Sequence, residues 1–295
     1  MKLVAFKSNG KVKLGVKVKR GIIDIEEALT LKKEDLIPTD IMEVIASIDA
    51  KERLEAYVNQ LVDNQEISFL NEESLSWAPC VTQPSKIICV GLNYKKHAEE
   101  VKLPHPEVPI LFNKFPNALA GHKEEIKIPP VTNRVDYEVE LGIVIGKEAK
   151  NVSKEEALDY VFGYCTTNDL SARDLQKQTG QWMIGKTSDG FAPIGPYLVT
   201  KDEIENPNQL ELKTMVNGEV RQQSNTEDMI FSCEELISYI SKHMTLHPGD
   251  LILTGTPEGV IIGMPKEERV YLKEGDEVTV EVEQLGSLTN TFTNE

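Results

Sequence analysis

Between Arg134 and Gly146 the chain alternates, RVDYEVELGIVIG. Strand side chains point to opposite faces with period two, so Tyr137, Val139, Leu141, Ile143 and Ile145 fall on one face and Asp136, Glu138 and Glu140 on the other. The apolar set predicts a β-strand with a core face. The acidic set is a constraint of its own. Like charges at i and i+2 repel and raise one another's pKa unless a cation holds them. Taken alone, the pattern also fits a solvated acidic edge, and the rest of the chain has to decide between the two.

A chain of 295 residues is long enough to bury a substantial core, as one large domain or a large and a small one. Its net charge of −16 speaks against nucleic acid, which needs a basic footprint. It also means that an anionic ligand would need a local reversal of the field by a dication, a Lys or an Arg. No apolar run approaches the roughly 20 residues of a membrane span. The N-terminal segment MKLVAFKSNGKV lacks the apolar core of a secretory signal. Cys80, Cys89, Cys165 and Cys233 are scattered without metal-type spacing, which suits reduced core cysteines and a cytoplasmic location.

Taken in order, the chain reads mainly as β with some α, an α+β protein. Residues 1–76 are expected to form a small N-terminal α/β unit. It has short strands around Asn9-Gly10 and Arg20-Gly21, then one or two helices over IMEVIASIDAKERLEAYVNQLVD. Residues 77–84, with Pro79 and Pro84, read as a linker, and 85–295 as the functional domain. There KIICVG predicts a buried strand, and LNYKKHAEE a turn entering a helix. SKEEALDYVFGY predicts a short helix capped at Ser153, with Glu156 at the capping-box position. Asn217-Gly218 marks a hairpin, CEELISYISKHM an amphipathic helix, and PGDLILTGTPEGV a strand entering a Gly/Thr turn.

Several side chains carry possible chemistry. His97 and Glu100 stand at i and i+3 of the expected helix, where a carboxylate can orient and activate an imidazole; a surface ion pair has the same spacing. Asp169 follows a predicted strand and suits a helix cap or a metal ligand. Ser171 is a candidate N-cap for the next helix. On that helix Arg173 and Gln176 share a face and suit a carboxylate. Lys186 lies in the glycine-rich GQWMIGKTSDGFAPIGP, among apolar residues, and Thr256 in the Gly/Thr turn. Lys114 and His122 are weaker anion candidates. Glu138, Glu140 and Asp169 together offer three hard oxygen ligands with no His or Cys, which favours Mg²⁺ or Mn²⁺ over zinc.

These motifs resemble the fumarylacetoacetate hydrolase family. Asn93-Tyr94 with His97 and Glu100, DYEVELGIVIG, NDLSARDLQ, GKTSDGFAPIGP, Asn217-Gly218 and GTPEGV follow the family's order over roughly residues 84–290. The resemblance implies a mixed β-sandwich roll, a homodimer, and Mg²⁺ or Mn²⁺ held by Glu138, Glu140 and Asp169. It also implies an active-site lysine, Lys186, a His97–Glu100 dyad on a lid segment, and substrate contacts from Arg173, Gln176 and Thr256. The three-carboxylate pattern is that of the smaller family members. The expected substrate is therefore a small anionic 2-oxo acid, cleaved at a C–C bond by acylpyruvate-type hydrolysis or oxaloacetate-type decarboxylation through an enolate. Two alternatives stand beside it. One is an isomerase or tautomerase of a 2-hydroxydienoate such as 2-hydroxyhepta-2,4-diene-1,7-dioate or 5-carboxymethyl-2-hydroxymuconate. The other is a non-catalytic metal- or ligand-binding protein.

Overall fold

The computed structural model describes residues 1–62 and 67–295. A large mixed sheet runs through its middle, in the spatial order Gly21–Asp24, Lys11–Val18, Lys2–Ser8, Ala192–Thr200, Val161–Asn168, Val139–Ile145, Leu251–Leu253, Ile87–Gly91 and Ile110–Lys114. Its neighbours are antiparallel except Leu251–Leu253 beside Ile87–Gly91. Two short strands, Ser76–Trp77 and Leu119–Ala120, attach to Lys2–Ser8 and Ala192–Thr200. A second sheet runs Glu219–Asn225, Glu211–Val216, Glu277–Val282, Gly286–Asn294 and Glu125–Ile128. The protein is mixed α+β and mostly sheet, as the sequence predicts.

Both faces of the large sheet are covered, and the alternation within single strands sorts side chains between the two cores. Ile88, Val90, Ile143, Ile145 and Ile252 pack with Val278, Val280 and Leu288 of the second sheet and with Leu236, Ile237 and Ile240 of the helix Cys233–His243. Ile87, Cys89, Val144, Leu251 and Leu253 pack the opposite way, against Leu3, Leu14, Val44, Leu54 and Tyr57 of the N-terminal segment. The N-terminal strands therefore continue the central sheet, with Lys2 and Leu3 registered against Val199 and Leu198. Residues 77–84 carry part of this core, since Trp77, Ala78, Cys80 and Val81 are all buried.

The hairpins at Asn9-Gly10 and Asn217-Gly218 form as expected, with both residues of each pair at positive φ. The helical stretch after Asp40 is two helices, Ile41–Ala46 and Ile48–Val62, and its expected last residue, Asp63, lies outside the described residues. Three local expectations need correction. Ser153 does hydrogen-bond Glu156, but the next element is a 3₁₀ turn, Ala157–Tyr160, because the chain must enter the central strand at Val161. Ser171 is no helix cap. It pairs with Asp136 in a two-stranded ribbon, and Ala172 occupies the cap position of the helix Arg173–Gln176. His122 is no anion contact: its Nδ1 accepts the Thr289 N–H at 3.0 Å and its ring packs edge-on to Trp77.

That His122 contact has a pH signature. Burial, then the neighbouring Lys123, lower its pKa from 6.5 to about 4. The unfolded chain therefore takes up a proton at pH values where the folded chain does not. Stability falls as pH drops through 6.5 and levels off near 4. Discounted for partial exposure, the loss is about 1–2 kcal/mol. Urea denaturation at pH 7 and pH 4.5 should show a smaller acid loss in His122→Asn, whose amide oxygen can accept the same N–H without titrating.

Candidate metal centre and active-site cleft

Asp136, Glu138 and Glu140 do not form a solvated edge. All three are buried, and the extended run is broken into Val135–Asp136 and Val139–Ile145. The break re-aims the acidic side chains at the end of the central sheet. Asp136 Oδ1 accepts the Ile261 N–H and its Oδ2 the Ile262 N–H and Arg173 Nε, at 2.9, 3.0 and 2.8 Å. Glu138 accepts Arg173 Nη2 and Lys186 Nζ, both at 2.5 Å. The Glu140 carboxylate receives a single hydrogen bond among the described residues, from the Gly255 N–H at 2.8 Å. Gly255 sits at φ +98°, and a Cβ there would strike Asn93 and the Val90 carbonyl, so only glycine brings that N–H to Glu140. Asn93 locks the same corner by bonding Thr254 O and both backbone groups of Phe231.

Asp169 leaves the strand Val161–Asn168 at its end and is fully buried. Its Oδ2 accepts Lys186 Nζ at 2.7 Å. Its Oδ1 lies 2.7 Å from Lys114 Nζ, yet no donor among the described residues hydrogen-bonds it. The reason is that Lys114 has three N–H bonds, and they go to the carbonyls of Leu170, Phe191 and Lys186. Lys114 is thus a buried anchor among backbone carbonyls rather than the contact for a ligand anion that the sequence suggested.

Each of Glu138, Glu140 and Asp169 brings one carboxylate oxygen within 4.8 Å of the others. Charge and hydrogen bonding show what is missing. Four carboxylates, Asp136, Glu138, Glu140 and Asp169, face three cations, Lys114, Arg173 and Lys186, so one negative charge is left over. It shows at Glu140, whose pKa is pushed well up by burial and by the charges of Asp169 and Glu138. Burial pushes Glu138 up too, but Arg173 and Lys186 outweigh it and hold the group ionised. Burial opposes the Lys186 charge, and Asp169 and Glu138 overcome it, so its amine is a proton donor rather than a base. An under-partnered carboxylate beside an orphaned carboxylate oxygen, in an all-oxygen set, fits a hard divalent cation.

The carboxylates floor a cleft of about 830 Å³. His97 and Glu100 line it from the helix Lys95–Glu100, with His97 Nδ1 3.2 Å from Glu100 Oε2. Glu100 Oε1 also accepts the Gly259 N–H at 3.0 Å, and a Cβ at Gly263 would strike its carboxylate. The helix is therefore latched to the Gly259–Gly263 turn, which Asp136 fixes from below. Arg173 lines the cleft, but its guanidinium is engaged by Asp136, Glu138 and the Gln176 carbonyl. That leaves the Gln176 amide N–H₂ without a hydrogen bond among the described residues. Thr256 accepts from Gln222, and its own hydroxyl proton is uncommitted among the described residues. Trp182 lies against Gly91 and meets Phe112 edge-on at 5.3 Å, giving an apolar wall. The residues that the family resemblance implies for the site, His97, Glu100, Glu138, Glu140, Asp169, Arg173, Gln176, Lys186 and Thr256, all border one cleft, and Lys114 and His122 do not line it. Sequence reading missed Asp136 as an anchor, although it shares the alternation of Glu138 and Glu140. It also missed Lys177, Lys266 and Arg269 at the cleft mouth, which read as ordinary surface charge.

Residues 86–293 match the family description Fumarylacetoacetate (FAA) hydrolase C-terminal. The chain belongs to the fumarylacetoacetate hydrolase family. A relative from Xenopus laevis, named oxaloacetate tautomerase fahd2, mitochondrial, is 41% identical over 98% of this chain and 89% of its own. The solved fumarylacetoacetate hydrolase of Exiguobacterium antarcticum is 33% identical over the whole of both chains, with a TM-score of 0.83. Maleylpyruvate hydrolase from Sphingobium, solved with manganese(II) and pyruvate, is 28% identical over the whole of both, with a TM-score of 0.80. This chain is accordingly an enzyme of the family with a divalent-metal centre, and the non-catalytic reading falls away. No helix among the described residues is long and apolar enough to cross a membrane.

Asp136 supplies a test of the anchoring. Asp136→Ala removes the partner of Arg173 Nε and of two buried backbone N–H groups, and leaves Arg173 with Glu138 as its one carboxylate among the described residues. Breaking one side of a buried pair costs about 3–5 kcal/mol. A urea midpoint shift equivalent to less than about 1 kcal/mol would contradict the role assigned to it.

Proposed function

We propose that this enzyme interconverts the keto and enol forms of a small 2-oxo dicarboxylate of the oxaloacetate kind, using Mg²⁺ or Mn²⁺ held by Glu138, Glu140 and Asp169. The observation that carries the reading is the buried oxygen set of Glu138, Glu140 and Asp169, in which Glu140 has no cation partner among the described residues, next to a His–carboxylate pair in the same cleft. The name of the 41%-identical relative supports tautomerisation. When bound, the dication supplies Lewis acidity that stabilises negative charge on the 2-oxo oxygen.

The residues of the chain do the remainder. With Glu100 Oε2 3.2 Å from His97 Nδ1, the tautomer that carries its proton on Nδ1 is the one that leaves Nε2 to take a proton from the carbon beside the carbonyl. The Lys186 ammonium faces the same floor and can give a proton to an oxygen that gains charge. Gln176 and Thr256 offer neutral donors to a carboxylate. Trp182 and Phe112 keep water from that side. C–C cleavage is the second reading, because it passes through the same enolate and the cleft has room for a longer acyl chain. Manganese and pyruvate in the maleylpyruvate hydrolase structure favour it. A homodimer in a reducing compartment completes the proposal. The four cysteines are free and buried, which suits the cytoplasm and equally the mitochondrion of the Xenopus relative's name.

Enol decay of oxaloacetate, followed by ultraviolet absorbance, tests the reading. EDTA should abolish catalysis and Mg²⁺ or Mn²⁺ restore it, whereas full activity after complete metal removal would sink the metal role. Glu140→Gln should lose metal, measured by elemental analysis, while keeping its fold. His97→Ala should keep metal and lose about 10²–10⁴-fold in kcat. If instead it tautomerises normally but no longer cleaves acylpyruvates, the dyad serves hydrolysis.

A further inference from the structure

Arg173, the strongest carboxylate-binding side chain in the sequence, is committed to the floor of the site. A dicarboxylate held at one end by the metal centre still needs a partner for its remote carboxylate. The cleft mouth contains one. Lys177 lies directly after the Arg173–Gln176 helix, and Lys266 and Arg269 lie on the turn facing it, all three lining the cleft. None has a carboxylate within 4.0 Å among the described residues. The acidic neighbours on the same turn do not neutralise them: Glu267 makes no ion pair among the described residues, and Glu268 lines a separate groove with Tyr137 and Arg221. Arg269 is also held in place, since its Nε donates to the Met264 carbonyl at 2.8 Å and closes the turn, and its two Nη groups have no hydrogen bond among the described residues.

We propose that Lys177, Lys266 and Arg269 form a second anion subsite that takes the remote carboxylate of the substrate and makes the enzyme select dicarboxylates over monocarboxylates. The inference rests on the 2-oxo dicarboxylate reading of the site and names the residues that confer it. After burial, the positive charges of Arg173, Arg269, Arg134 and Lys266 hold the Lys177 ammonium below its usual pKa. Like charges left facing without counterions store repulsion, which an anion relieves on binding. Their exposure at the mouth also steers anions into a cleft that an overall charge of −16 would otherwise repel.

Lactate and malate test this without turnover, because they share a 2-hydroxy acid head and differ in the remote carboxylate. Calorimetric titration of the Mg²⁺-loaded protein should find malate at least about tenfold tighter than lactate, a preference that weakens with added KCl. In Lys266→Gln/Arg269→Gln the preference should shrink to about two- to threefold, with the bound Mg²⁺ retained and lactate weakened less than malate. Lys266→Arg/Arg269→Lys should keep it. An unchanged malate-to-lactate ratio in the neutral variant, or equal binding in the wild type, overturns the subsite. If neither acid binds the metal-loaded protein, the 2-oxo acid reading itself fails and takes the subsite with it.

Discussion

The structure turns on a buried charge lattice in which cations and carboxylates hold one another out of water. Arg173 bridges Asp136 and Glu138, Lys186 bridges Glu138 and Asp169, and Lys114 sits beside Asp169 while tying three backbone carbonyls. Desolvating so many charges is costly, and the cost is offset only when nearly every lone pair and N–H has a partner. Segments distant in sequence therefore have to meet. The strand Ile110–Lys114, the broken acidic strand, the helix Arg173–Gln176 and the turn ending in Lys186 are all fixed by this one network.

The lattice is also incomplete as chemistry. Among the described residues the Glu140 carboxylate has one hydrogen bond and no cation, and Asp169 Oδ1 has the Lys114 charge beside it but no hydrogen bond. A protein selected only for stability would fill such a place with apolar side chains, since buried ionic networks seldom improve on packed hydrophobic ones. A dication turns the surplus negative charge of the cluster into a surplus positive one. In the proposed function this is what lets so acidic a chain bind an anion: the reversal is local, at the floor of one cleft, and the lysines and arginine of the proposed subsite repeat it.

Support for the cleft comes from far away. The N-terminal strands extend the central sheet and the N-terminal helices cover the face that the second sheet leaves open. The sheet ends that carry Glu140, Asp169 and Thr254-Gly255 are thereby held in fixed register. The latch between Glu100 and the Gly259 amide couples the His97 helix to the same frame through Asp136.

Local rules made much of this legible. Period-two alternation placed Glu138 and Glu140 on one side, the Asn-Gly pairs marked their hairpins, and i, i+3 spacing brought His97 to Glu100 and Arg173 to Gln176. These relations depend on backbone geometry within a few residues, so the sequence by itself determined them, along with the mostly-β class and the oxygen-only ligand set. Partner choice across the chain was decided by tertiary structure alone. Nothing in the sequence says that Arg173 is spent on Asp136, 37 positions away, or that Lys114 is buried. Nor does it say that Lys177 and Arg269 face the same opening. A charge costs little in water and much in the interior, and which it meets depends on packing between segments that local sequence does not encode.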